Sequence, residues 1–254
     1  MTRADMLMYP AEYRAMFEME DAYWWYIGMH NFLRDLLRRY LPGESRGVKI
    51  LDAGCGTGAN LLLLRAYGDA YGIDLSPEAI RWTRARGIAA ERAWIASVKE
   101  PGFRDAVFDL AISFDVICNV ADDDAAFQEI ARVLKPGGRL IVLLPAYQWL
   151  WSMHDVATGH QRRYAARMLR DKMRRAGLRV ERIAYINTLF FPIAALVRLL
   201  RRAFGEEKKP VHSDLTPLPR ALNAALAALF TLEARVAARI DLPFGLSVFA
   251  VGKK

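Results

Sequence analysis

The sequence predicts an α/β protein: a Rossmann-like, mostly parallel seven-stranded sheet with helices on both faces. Three observations point there. Short apolar runs alternate with segments of helical spacing. A glycine-rich turn, "LDAGCGTGAN" at residues 51–60, joins the first such run to the helix after it. The next run, "DAYGIDLS", ends on an acid, Asp74. Apolar strands of this kind need cover on both faces, which crossover helices supply.

The opening "YRAMFEMEDAYWWYIGMHNFLRDLLRRYLPG" reads as one helix stopped by Pro42-Gly43, with Phe32, Leu33, Leu36 and Leu37 on a buried face. "VKILDAG" is a buried strand, and "ANLLLLRAYG" a helix closed by Gly68. After "DAYGIDLS" as second strand, "SPEAIRWTRARG" is a helix with Ser76 as N-cap, Pro77 in its first turn and Gly87 at its end. "VFDLAISFDV" is strand, "DDDAAFQEIARVLKPGG" helix and stop, and "RLIVLLP" strand. A basic helix, "RRYAARMLRDKMRRAG", precedes the strand "LRVERIAYIN", and "GLSVFAVGK" is a final, antiparallel strand. The stretch between those last two strands far exceeds a hairpin. It reads as an insertion of two helices at about residues 188–241. Residues 1–47 are expected to form an N-terminal helical lid, and 48–254 one domain.

Composition bounds the function. Among 254 residues, 54% apolar and 11% aromatic, the formal charge is +8. It is unevenly placed: residues 161–254 hold 19 Lys/Arg against 7 Asp/Glu, net +12, leaving 17 against 21, net −4, before them. The only cysteines, Cys55 and Cys118, have no metal-ligand spacing, the four histidines share no short metal motif, and no metal is expected. The acidic first 25 residues lack the apolar core of an export signal, so a cytoplasmic setting is expected. The longest uncharged run, Ile183 to Val197, is too short to span a bilayer but does not exclude lying on one.

The glycine turn sits where open α/β sheets bind ligands. Its G-x-G-x-G spacing lacks the third interval of a dinucleotide fingerprint and the Lys-Ser/Thr of a phosphate loop. Asp52, just before it, would repel a pyrophosphate and suits a ligand with a positive centre. Asp74 stands about twenty residues on, where a carboxylate accepts ribose hydroxyls. The glycines alone also fit a plain tight turn.

With "LDAGCGTG", "YGIDLSPEAI", "FDLAISFDVICNV" and "EIARVLKPGGRLIVLLP", residues 48–145 resemble the class I S-adenosylmethionine-dependent methyltransferases, in particular their small-molecule group. The resemblance implies S-adenosylmethionine as cofactor. Asp52 and the loop of Ala53, Gly54, Cys55, Gly56, Gly58 and Asn60 would hold its methionine part, Asp74 its ribose and Leu75 its adenine. Ser97 stands where many relatives have an acid near the adenine amino group. Where relatives often read Asp-Val-Leu-Glu-His-Val, this chain keeps Asp115 on the cofactor side but has Cys118-Asn119 for the Glu-His pair, so no role transfers there. Both cysteines read as small buried residues. Trp24, Trp25, Tyr26 and His30 are expected near cofactor or substrate, since residues before the first strand often form a lid in this family.

Methyl transfer needs alignment and desolvation, and a general base for a weakly acidic acceptor. The segment "PAYQWLWSMHDVATGHQRRY" after the fifth strand offers Tyr147, His154, His160 and Tyr164 as catalytic candidates, Asp155 as orienter, and Trp149 and Trp151 as packing surfaces. Arg162 and Arg163 read as an anion site or, more simply, a solvated helix face. In the insertion, Leu189, Ile193, Leu196, Val197, Leu200 and Phe204 share one helical face, and Arg198, Arg201 and Arg202 another. Leu222, Leu226, Leu229, Val236 and Ile240 repeat the pattern, with Arg235 and Arg239 offset. Such helices fit a membrane interface and a lipid-linked acceptor, a substrate lid, or a homodimer contact. Nucleic acid is disfavoured: there is no Asn-Pro-Pro-Tyr-type motif and no RNA-binding module. The expected function is methyl transfer to a hydrophobic or partly anionic small molecule, with an NAD-dependent oxidoreductase or a non-catalytic membrane module as other classes.

Overall fold

The computed structural model describes residues 7–41, 47–203 and 216–254, with side chains of 201–203 left aside. The Pro42-Gly43 stop, Phe204 and the side chains of Arg201 and Arg202 lie outside the described residues. Seven strands form one sheet: β1 (Lys49–Ala53), β2 (Asp69–Asp74), β3 (Ala93–Ile95), β4 (Phe108–Phe114), β5 (Leu134–Pro145), β6 (Arg179–Ile186) and β7 (Ser247–Lys253). Their order is β3-β2-β1-β4-β5-β7-β6. All neighbours are parallel except β7, which runs antiparallel to both β5 and β6.

Period-two alternation divides the core into two layers. Ile50, Leu110 and Phe249 point to one face with Phe32, Leu36 and Leu61. Their chain neighbours Leu51, Ala111 and Val248 point to the other with Phe127, Ile130 and Leu169. The helices supplying these layers include α2 (Trp24–Tyr40), α3 (Ala59–Leu64), α5 (Asp123–Val133) and α7 (Ala166–Arg175). Ser76 accepts from the Ala79 amide at 3.3 Å to cap α4 (Pro77–Ala85), with Pro77 in its first turn and Gly87 at φ +79 beyond its end.

Five points of this reading change. The opening segment is two helices, α1 (Pro10–Met19) and α2, broken at Glu20–Tyr23. The division at residue 47 does not separate packing units, because α2 is part of the core, whereas α1 lies against α4. α3 stops at Leu64, and Gly68 instead lets the turn into β2 pass Val48, whose carbonyl a Cβ would meet at 2.4 Å. β3, three residues long, carries too little pattern to stand out, and β5 begins at Leu134, taking in the Lys-Pro-Gly-Gly read as a stop.

The insertion carries α8 (Phe191–Ala203) and α9 (Arg220–Ala237) between β6 and β7, as the spacing implies. α9 packs on α2. The Trp24 amide donates to Asn223 at 2.9 Å, and Asn31 donates to Thr231 at 3.0 Å. A Cβ on Gly28 would fall 2.2 Å from the ring of Phe230. Gly28→Ala is therefore expected to overpack this contact and cost about 1–3 kcal/mol, read as a lower urea midpoint; an unchanged midpoint would mean that the ring yields freely.

Candidate active site

The site opens at the carboxyl ends of β1, β2 and β4. Gly54, Gly56 and Gly58 adopt φ of +95, +52 and +92, a region L side chains rarely enter. Gly54 is also too close to Val116 for any side chain. The Gly54 and Cys55 amides donate to the Ile73 carbonyl at 2.8 and 2.9 Å, which folds the loop back on β2. Ala53 is fully buried and its carbonyl accepts from Ser113, while Asn60 lies in the first turn of α3.

Two acids face this loop. Asp52 is 1% exposed, and its Oδ2 has no hydrogen-bond partner. Burial, then the charges of Asp74 and Glu20, push its carboxyl up to about 8. Asp74 accepts from the Gly56 and Ser76 amides, both at 2.9 Å; burial raises its pKa against those bonds. Asp74, Gly54, Leu75 and Ser97 line a common cleft with Tyr13 and Asn119. Ser97 Oγ accepts from the Lys99 amide at 3.1 Å.

At the end of β4, Asp115 holds φ +55, a conformation that Asp tolerates better than most residues. Burial lifts its carboxyl to about 6, opposed by the neighbouring His160 and Arg163 side chains. His160 Nδ1 lies 2.8 Å from Asp155 Oδ1, and both residues are buried. Arg163 donates to the same carboxylate at 2.7 and 2.9 Å, and the Ser152 amide at 2.8 Å. Burial raises the Asp155 pKa, but the His160 bond and the Arg163 charge outweigh it and hold the carboxylate well below its usual range. An imidazole fixed at Nδ1 by an ionised carboxylate keeps Nε2 as its second nitrogen for chemistry.

The other candidates separate. The His154 ring lies edge-on to His160 at 6.1 Å, outside the Asp155 pairing. Tyr147 stacks on Tyr185 at 5.1 Å and joins Trp149 and Phe191 in an aromatic wall. Tyr164 is fully buried and donates to Asp123 at 2.8 Å; the catalytic reading of it gives way to this internal bond. Arg162 and Arg163 are neither a solvated face nor an anion site. Arg162 donates to the Val120 and Ala121 carbonyls and pairs with Asp123, while Arg163 is spent on Asp155 and the Ala146 carbonyl. Cys55 and Cys118 are buried, and burial first of all pushes both thiols up, away from nucleophilic thiolate.

Trp25, His30 and His160 do not line the cleft of Asp74 and Ser97. Trp25 packs on the core, and burial lowers the His30 pKa to about 4, leaving the ring neutral. Tyr13 and Glu20 of the opening segment lie against the cleft and the glycine loop respectively. Tyr13 reaches the cleft from α1; burial, then the Asp74 charge, push its hydroxyl up to about 12. Glu20 accepts from the Thr57 hydroxyl of the glycine loop, and burial raises it to about 7. Arg86 lies over the Phe17 ring and pairs with Asp21 at 3.0 Å, clamping α1 down. The break after Met19 was the signal available in sequence, since acids interrupt the helical face at "EMED".

The strand order with its antiparallel β7, and the acid-flanked glycine turn at the head of the cleft, define a class I methyltransferase fold. Residues 51–142 match the family model Methyltransf_11, a methyltransferase domain. Demethylmenaquinone methyltransferase of Tropheryma whipplei (strain Twist) is 35% identical over 102 residues, 39% of this chain and 43% of its own. The chain thus spans less than half the length of the first curated relatives it matches. Among solved structures, a Haloferax volcanii protein in complex with the Trm112 methyltransferase activator superposes with a TM-score of 0.61 at 23% identity, over 96% of this chain and 95% of that one. Phosphoethanolamine N-methyltransferase 2 of Haemonchus contortus, solved with S-adenosylmethionine, gives 0.56 at 19% identity over 88% and 52%. Residues 51–142 are thus similar to a methyltransferase domain, and the fold is that of the class I S-adenosylmethionine-dependent methyltransferases, whose cofactor is S-adenosylmethionine. Among the described residues, no cluster suited to a metal ion occurs and no helix is long and apolar enough to cross a membrane.

Proposed function

We propose that the protein methylates an apolar or partly anionic small molecule met at a lipid surface, with His160 as general base. The observation that carries this reading is Asp52: a buried carboxylate oxygen without a partner, at the head of a glycine loop and beside Asp74. Such a group is costly unless a cation meets it. The amino acid end of S-adenosylmethionine carries that cation, so the residues present fit the cofactor.

Asp52 and the backbone from Ala53 to Gly58, with Asn60, would hold the methionine end. Asp74 would accept the ribose hydroxyls, and Leu75 and Ser97 would border the adenine. When bound, the cofactor supplies a methyl group on a sulfonium centre, open to in-line attack. His160 takes the acceptor's proton at Nε2, while Asp155 holds the ring orientation and stabilises the imidazolium that forms. Asp115 contributes a second charge on that wall. The aromatic wall of Tyr147, Trp149 and Phe191 favours an apolar acceptor, as does the quinone named for the Tropheryma relative. The two-helix insertion is read as a lipid-facing element rather than a subunit contact.

Asp74→Ala is expected to weaken S-adenosylmethionine binding about ten- to a hundredfold, the worth of charge-assisted hydrogen bonds, in titration calorimetry with the fold checked by circular dichroism. An unchanged Kd would remove Asp74 from the cofactor site.

A further inference from the structure

α8 and α9 are amphipathic in the reverse of the sense that packing requires. On α8 the packed side is Phe191, Ala194, Ala195 and Arg198, at i, i+3, i+4 and i+7. Ile193 and Leu196 are left 65% and 58% exposed. On α9 the buried side is Ala227, Phe230, Ala234 and Ala237, while Leu232, and Ile240 just past the helix's end, are each 59% exposed. Alanines, two phenylalanines and an arginine face the protein, and the large aliphatics face out. Repeated along two successive helices of one insertion, that is more than the scattered exposure of single leucines.

We propose that the outward side of α8 and α9 docks in the interface of an anionic lipid bilayer. Charge selects this occupant. The exposed charged residues of α9 are both arginines, Arg220 and Arg235, and Arg239 follows in the turn after it. Its one acid, Glu233, is buried and accepts from the Thr188 and Leu189 amides at 2.6 and 3.0 Å. A second copy of this side would set arginine against arginine. Anionic headgroups complement the arginines while the leucines enter the acyl boundary, the arrangement of interfacial helices. The same insertion abuts the aromatic wall, with Phe191 5.9 Å from Trp149 and 5.4 Å from Phe244. Docking would therefore bring the wall to the level at which an apolar acceptor resides. The purpose of the docking rests on the methyltransferase reading; the docking itself does not.

The test is co-sedimentation of the full chain with phosphatidylglycerol–phosphatidylcholine vesicles and with phosphatidylcholine vesicles alone, S-adenosylmethionine affinity being measured on the same preparations. The wild type is expected to sediment with the mixed vesicles and to be released by salt. Leu196→Glu with Leu232→Glu should cut binding at least roughly tenfold, and Arg235→Glu with Arg239→Glu to a similar extent, with cofactor affinity unchanged in both. A wild type that stays in solution, or variants that sediment like it, would overturn the proposal. So would a dimer seen by light scattering that the leucine variant dissolves, because a second copy would then own the surface. Sedimentation by a wild type that binds no S-adenosylmethionine would support the docking and sink the methyltransferase reading.

Discussion

Replacing His160 by alanine is expected to lower kcat by about 10²–10⁴-fold, the usual contribution of a positioned general base, with S-adenosylmethionine affinity unchanged. The pair with Asp155 supplies the reason. A free imidazole samples many orientations and two tautomers; one bonded at Nδ1 to an ionised carboxylate at 2.8 Å has a single basic nitrogen in a fixed direction. Asp155→Asn is expected to lower kcat as well. It also unsettles the buried Arg163, which donates to the same carboxylate, so its stability must be measured beside its rate. A His160→Ala enzyme turning over at the wild-type rate at saturating cofactor would remove the histidine from the mechanism.

The second large effect concerns Asp52. With its carboxyl at about 8 in the free protein, it is mostly protonated at pH 7, whereas a cationic ligand favours the ionised form. Binding of S-adenosylmethionine at pH 7 should therefore release a proton, measurable in buffers of different ionisation enthalpy. Affinity should rise between about pH 6 and 8 and level off above that range. Asp52→Asn removes the proton release and the matching charge, and is expected to weaken binding by about 2–5 kcal/mol. The sign for the free protein is opposite. A carboxyl whose folded pKa lies above its unfolded value stabilises the fold at low pH, and that contribution is lost as pH rises from about 4 through 8. Glu20 at about 7 and Asp115 at about 6 add to the same slope, so Asp52→Asn should flatten it only in part. Cofactor binding without proton exchange near neutrality would separate Asp52 from the ligand's charge.

Much of this was legible along the chain because it depends on local pattern. Ser76, Pro77 and Gly87 mark a helix by capping chemistry that needs no tertiary partner. Gly54, Gly56 and Gly58 mark a left-handed loop for the same reason, and Asp74 is placed by its position at a strand end. The candidates that failed did so because a residue type says nothing of its neighbours. Tyr164 reads like Tyr147 until the fold buries one against Asp123 and leaves the other in an aromatic wall. His154 and His160 are equivalent in sequence, and only the turn between them decides which ring meets Asp155.

The sequence by itself determined the alternation of strands and helices, the glycine turn with its two acids, and the existence of a two-helix insertion. These follow from short-range periodicity and backbone sterics. Tertiary structure alone decided that α2 belongs to the core, and that Tyr13 lines the cleft and Glu20 meets the glycine loop while Trp25 packs on the core. It also decided that the aliphatic stripes of α8 and α9 face outward. A helical stripe records which residues share a side, but which side is buried depends on the surface offered to it. Here the α2 face, with Gly28 at its centre, admits the small residues and Phe230 of α9 and leaves the leucines in contact with solvent.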